Sequence, residues 1–285
     1  MNVAVVGTGN VGSALLFHLV DVPGIERILV MNIQDEWSQA SIMDVASAKP
    51  DAALKLEVAS FSSLGEADVI ALTSGAQMEV GQTGKDVLDA NIRITKNILD
   101  SAVLKKDVII IALATPVDDL TSFIQQNYQL PASHVMGFGG DLDKNRLRYV
   151  LSKRNIDNGD VQVIGEHGGR TIPVYSGRQE FEEIAENVRN FLGKITAQGG
   201  RPRNLATGLL FANLIDSIIN DRQSVHNVCG FHQTYQMHIT WPYRIGRQGV
   251  GEPEEIALEP MAQSWLDDLV SRKHEEIKSL NNYGK

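Results

Sequence analysis

Cysteine is almost missing from this chain. Cys229 stands alone in 285 residues, so no intrachain disulfide can form. That fits a reducing compartment, and a buried small hydrophobe is the reading for Cys229 itself. Aromatic residues supply only 6%, and Lys and Arg, at 26, fall short of the 35 Asp and Glu. A net charge of −9 leaves nothing for a phosphate backbone to reward, which excludes a nucleic-acid partner. Long apolar runs are also absent. The stretch Val108 to Ala114 is among the longest, far short of the about 20 residues a membrane helix needs. No basic segment precedes the first strand-like run, so the expectation is a cytoplasmic protein with no membrane partner. His226, His232 and His238 recur every six residues, off any single helix face, with no Cys or carboxylate pattern beside them. They are read as structural or surface residues, and no metal site is expected.

Length and composition fit a globular protein of one large or two modest domains. The first half alternates short Val/Ile-rich runs (Val3–Val6, Ile28–Met31, Val69–Leu72, Val108–Leu113) with helical patterns near Ala14–Val20, Ser38–Ala48, Val87–Leu104 and Asp119–Gln126. Apolar on both faces, the runs predict buried parallel strands covered by helices on both sides. The second half mixes types. It predicts helices at Asn145–Arg154, Glu180–Leu192, Asn204–Asp221 and Pro260–Leu280. Short strands are expected at Val161–Ile164, Thr171–Val174, Gln236–Ile239 and Pro242–Ile245. The change after Gly137-Phe138-Gly139-Gly140 sets the expected boundary, with domains over 1–140 and 141–285.

Gly7, Gly9 and Gly12 form Gly-x-Gly-x-x-Gly between the first strand and the first helix. Such a turn brings backbone N–H groups, including those of Asn10 and Val11, toward a pyrophosphate at the helix N-terminus. The second strand should end in a carboxylate that holds the ribose hydroxyls, and Asn32 stands there instead. Losing that charge relaxes the bias against a 2′-phosphate. No Lys or Arg in 33–48 attracts one, so NAD is favoured and NADP stays open.

Further motifs follow: Pro116-Val117-Asp118, Leu142-Asp143-x-x-Arg146, Gly165-Glu166-His167-Gly168, and the closing Pro242-Tyr243-Arg244-Ile245-Gly246. With the glycine turn, these resemble the lactate/malate dehydrogenase family over nearly the whole chain. The resemblance implies an α/β fold: an N-terminal Rossmann doubly wound parallel sheet followed by an α+β substrate domain. It implies His167 as general acid/base, Asp143 as the carboxylate that orients it, and Arg146 as the clamp on a substrate carboxylate. It counts Asn91 among the cofactor contacts. It also implies a homo-oligomer, most simply a dimer packed through the helix near Ser38–Ala48, and a cis Thr115–Pro116 bond. The chemistry agrees: imidazole titrates near neutrality, and guanidinium matches a planar carboxylate.

The pattern also departs from the family. An ungapped match of Gly75, Gly81 and Asn91 puts the substrate-selecting position on Met78, and the position of the carbonyl-polarising arginine on Gly84. Lys85 stands beside it. The family's Asn-Pro is Thr115-Pro116, which leaves a hydroxyl in place of an amide. Arg203, at a helix start that lines the family's pocket, could restore the missing cation from the opposite wall. Two functions stand open. One is a nicotinamide-dependent oxidoreductase acting on a small 2-oxo or 2-hydroxy acid with an apolar side chain. The other is a dehydrogenase-like protein that binds NAD(H) or a carboxylate with little turnover.

Overall fold

The computed structural model describes residues 1–76, 81–176, 180–198 and 204–280, with 276–280 described by backbone alone. β1 (Asn2–Val6) leads into α1 (Asn10–Leu19), β2 (Arg27–Met31), α2 (Asp35–Ala48), β3 (Leu56–Val58), β4 (Val69–Leu72), α3 (Gly84–Leu99), β5 (Ile109–Ala112), α4 (Val117–Tyr128) and β6 (Val135–Phe138). The strands line up β3-β2-β1-β4-β5-β6, all parallel. The order reverses between β1 and β4, which opens a crevice at their C-terminal ends, where such sheets bind ligands. Val3 to Val6 and Val69 to Leu72 are essentially inaccessible to solvent, as strands covered on both faces must be.

The chain continues through α5 (Gly140–Lys153), β7 (Gln162–Glu166), β8 (Arg170–Val174), α6 (Phe181–Arg189), α7 (Phe191–Ala197), α8 (Leu205–Ile219), β9 (Ser224–His232), β10 (Met237–Gly246), β11 (Gly249–Pro253) and α9 (Pro260–Leu280). These strands are antiparallel, and β9 joins β6 edge to edge. The path of paired strands therefore runs unbroken from β3 to β8. α1 and α8 pack closely. A Cβ on Gly208 would lie 2.6 Å from the backbone of Ala14, so this crossing needs glycine.

Several elements differ from expectation. The helix expected over Glu180–Leu192 is two helices, broken at Asn190. α3 stops at Leu99 rather than Leu104, where Ser101 Oγ donates to the Ile98 carbonyl at 2.5 Å and competes with continuation. The two strands expected around Pro242 are one, because the Pro242 carbonyl still accepts from Glu254 N at 2.8 Å. β3, β6, β9 and β11 carry no clear periodicity and were not expected. β9 reads Ser-Val-His-Asn-Val-Cys-Gly-Phe-His and is a strand because β6 and β10 supply its partners. Among the described residues, no helix is long and apolar enough to cross a membrane.

Candidate active site

The glycine turn closes β1 onto α1 as the sequence predicts. A Cβ on Gly12 would stand 1.9 Å from the Gly7 carbonyl oxygen, so only glycine lets this turn close. Gly9 differs: among the described residues nothing lies within 4 Å of a Cβ there. The space above Gly9 is open, and α1 starts with no side chain capping its N–H groups. A glycine that the protein does not need for packing, beside unspent helix donors, fits a phosphate-bearing cofactor. Asn10 is exposed and Val11 half-buried at the helix start.

Asn32 ends β2 next to this turn. Its Nδ2 donates to Thr8 Oγ1 at 2.6 Å, and its Oδ1 accepts from Ile33 N at 2.8 Å. Asp35 and Glu36 follow in the first turn of α2 and bring negative charge to the same end of the crevice. Asn91, buried in α3, takes Ala76 N and gives its amide to the Thr115 carbonyl, each at 2.7 Å. Its side chain thus ties together the loops after β4 and β5. The Thr115–Pro116 peptide is cis, as expected, and Thr115 is exposed.

The catalytic candidates come from α5 and from the hairpin between β7 and β8. Asp143, in the first turn of α5, is 1% exposed. It accepts from His167 Nδ1 at 2.7 Å, from Thr171 Oγ1 at 2.8 Å and from Arg146 at 2.8 Å. Since an ionised carboxylate cannot donate, Nδ1 carries the proton and Nε2 is left to face substrate. Burial disfavours the charge on His167, yet the adjacent Asp143 carboxylate lifts its pKa above the ordinary value, with Arg146 opposing. Burial likewise works against ionised Asp143, but His167, Arg146 and Thr171 bring it below the usual carboxylate range. Arg146 lies one turn after Asp143 and spends a single N–H on it, which among the described residues leaves most of its donor fork available.

Gly139 is a site residue that sequence reasoning passed over. A Cβ there would lie 2.4 Å from the imidazole Cγ, so the ring rests directly on its backbone. In the sequence the Gly-Gly pair at 139–140 marks only the domain boundary. Thr171 was read only as a strand residue, yet its hydroxyl holds Asp143.

Beside Arg146 opens a cavity of about 360 Å³, lined by Tyr149, Phe191, Ile195, Leu205 and Thr207 among others. Gly84 begins α3, with nothing among the described residues within 4 Å of a Cβ, and Lys85 beside it is exposed. Met78 and Arg203 lie outside the described residues. His226 and His238 are structural rather than surface groups. His226 bridges Asp141 at 2.6 Å and Ser217 at 2.8 Å, and burial holds His238 down to about 3. Cys229 is buried, as expected.

Comparison with known proteins agrees with this geometry. Residues 1–137 match the family model for the NAD-binding domain of lactate/malate dehydrogenases. An L-lactate dehydrogenase 1 of Staphylococcus aureus is 27% identical over 294 aligned positions, spanning 92% of this chain and 91% of the relative. Among solved structures, the minor L-lactate dehydrogenase of Enterococcus mundtii superposes with a TM-score of 0.80 at 22% identity, over 100% of this chain and 98% of that one. Malate dehydrogenase of Picrophilus torridus does so with 0.84 at 22%, over 99% and 98%. At these identities the two structures speak for the fold alone.

Proposed function

We propose that this chain, whose residues 1–137 match the NAD-binding domain of lactate/malate dehydrogenases, is an NAD-dependent oxidoreductase that interconverts a small 2-oxo acid and its 2-hydroxy acid, with an apolar side chain on the substrate. The observation that carries this is the Asp143 carboxylate shared between His167 and Arg146. One group holds the proton donor and the other grips the substrate carboxylate, and both are fixed by the same buried anion. Gly7, Gly9, Asn10, Val11 and Gly12 would hold the pyrophosphate, with Asn32 at the ribose. NADH, when bound there, supplies the hydride for C2 of the substrate. His167 gives its Nε2 proton to the oxygen that becomes the hydroxyl, and Asp143 steadies the ring through Nδ1–H. In the oxidative direction the same nitrogen takes the proton back. Thr115 offers a hydroxyl near the reacting oxygen.

The apolar preference draws support from the cavity beside Arg146, whose walls include Phe191, Ile195 and Leu205. A second carboxylate buried among such residues without a partner would cost several kcal/mol, on the order of a lost ion pair. Met78 and Arg203 keep their proposed roles by sequence alone. The test is NADH oxidation over a panel of 2-oxo acids, repeated with NADPH. A kcat/KM for oxaloacetate well above that for 2-oxoisocaproate would reject the apolar assignment.

The low-turnover alternative draws on the resemblance: the ungapped match puts Gly84 at the position of the family's loop arginine. Losing a donor aimed at developing charge costs on the order of 10²–10³ in rate. NADH binding with no turnover on any 2-oxo acid would establish that alternative.

A further inference from the structure

We propose that Asp118 is a positioning residue for His167, a second carboxylate that acts through the histidine backbone and through its charge. The proposal rests on the reading of His167 as the proton donor and adds a group that reading does not use. Asp118 stands in the first turn of α4 and is 3% exposed. Its Oδ2 accepts the backbone N–H of His167 at 3.2 Å, across 49 residues of sequence. Its Oδ1 takes the Thr240 hydroxyl of β10 at 3.4 Å, and the buried Cys229 thiol of β9 also bonds the carboxylate. Thr240 pairs with Gly165, two residues before His167. The carboxylate thus sits where α4, β7, β9 and β10 meet, directly behind the turn that presents the imidazole.

A backbone N–H needs only a neutral acceptor, and an asparagine would serve. A buried charge is costly unless it is balanced, and here the balance is built in. Lys273 of α9 is wholly buried and pairs with Asp119 Oδ1 at 2.8 Å and with Glu166. Lys273 also acts on Asp118 through space, against repulsion from Glu166 and Asp119. Of the other titratable groups packed here, His238 is held neutral by burial, and burial likewise pushes the Cys229 thiol and the Tyr243 phenol up, so both stay protonated. The lysine therefore partly offsets a cluster of three carboxylates and leaves negative charge beside His167. That charge favours the imidazolium, in the same sense as Asp143 and against Arg146. Burial raises the Asp118 pKa to about 6, so the charge is in place at neutral pH and fades in mild acid.

Two variants separate the backbone contact from the charge. Asp118→Asn keeps an acceptor for the His167 N–H and removes the charge; Asp118→Ala removes both. The direct readout is the NMR titration of the His167 imidazole, assigned by its loss in His167→Gln, alongside kcat, KM, the pH profile and the affinity for NADH. In Asp118→Asn we expect the His167 titration to move to lower pH, with the kcat profile moving alongside it. We also expect kcat to fall about tenfold, as the acceptor behind His167 passes from charged to neutral, with NADH affinity unchanged. Asp118→Ala should lose more. A His167 titration in Asp118→Asn that overlays the wild-type curve overturns the proposal. So does an equal loss of NADH affinity and kcat in both variants. If neither variant folds, Thr240→Val weakens the hold on the carboxylate while leaving it in place. It should still lower the His167 titration, and an unmoved curve is again a refutation. The titration needs no turnover, so a shifted curve in a protein without activity would reject the proposed function and sustain the role of Asp118.

Discussion

Replacing Asp143 with asparagine tests the centre of the site with the least change in shape. The carboxylate accepts from His167, Thr171 and Arg146 at 2.7 to 2.8 Å, and from Gly168 N at 3.4 Å. An amide has one accepting end. Its NH₂ must face either the His167 Nδ1–H or the Arg146 guanidinium, both donors. One charge-assisted hydrogen bond is therefore lost, worth about 1.5–3 kcal/mol, and a donor is left facing a donor. The negative charge between two cationic groups is lost as well, and breaking a buried pair costs about 3–5 kcal/mol. Taking about 3–4 kcal/mol as the share felt in the transition state, kcat/KM for the 2-oxo acid should drop on the order of 10²–10³-fold. The NADH dissociation constant should hold, since Asp143 lies in α5 and not in the glycine turn. The His167 titration should move to lower pH, because Asp143 does most to raise it against burial. Steady-state NADH oxidation, calorimetry with NADH and the imidazole NMR signal measure the three quantities. A loss under about tenfold together with an unmoved His167 titration would refute the account of the Asp143 hub.

Gly9→Val should fold with a melting temperature near wild type, since its Cβ meets nothing, yet fail to bind NADH in calorimetry. Gly12→Ala should instead be poorly folded by circular dichroism, its Cβ lying on the Gly7 carbonyl. Gly84→Arg restores a donor at a position with free space and should raise kcat by roughly ten- to a hundredfold. An unchanged kcat would mean that the loop cation comes from elsewhere. Asn32→Asp should widen the preference for NADH over NADPH, measured as the ratio of their dissociation constants. The pairing of raised-pKa His167 with Asp143 stabilises the fold fully below the ordinary histidine value and is lost as pH rises through the raised one. Urea unfolding should therefore show the gap between wild type and His167→Gln shrinking as pH rises above the ordinary histidine range, and a constant gap would count against the linkage.

Much of this protein could be inferred before any coordinates. β1, β2, β4 and β5 are legible because a strand buried on both faces must be continuously apolar, and the chain writes that pattern four times. The glycine turn is legible because only residues without a Cβ can close it, a local constraint carried by Gly7 and Gly12. The motifs that carry His167, Asp143 and Arg146 are legible in the sequence, and the structure brings the three side chains together. What the sequence could not reveal rests on long-range contact. β9 has no pattern of its own and exists because β6 and β10 flank it. Gly139 reads as a loop residue until the His167 ring lies against it. Thr171 and Asp118 meet Asp143 and His167 only through the hairpin and α4, 28 and 49 residues apart in the chain. Lys273 looks like a solvated helix charge, yet it is wholly buried on Asp119 and Glu166. Local sterics and hydrophobic period act between neighbours in sequence and leave a trace there. The partners of a buried charge are chosen by how helices and strands pack, and that choice is made only in three dimensions.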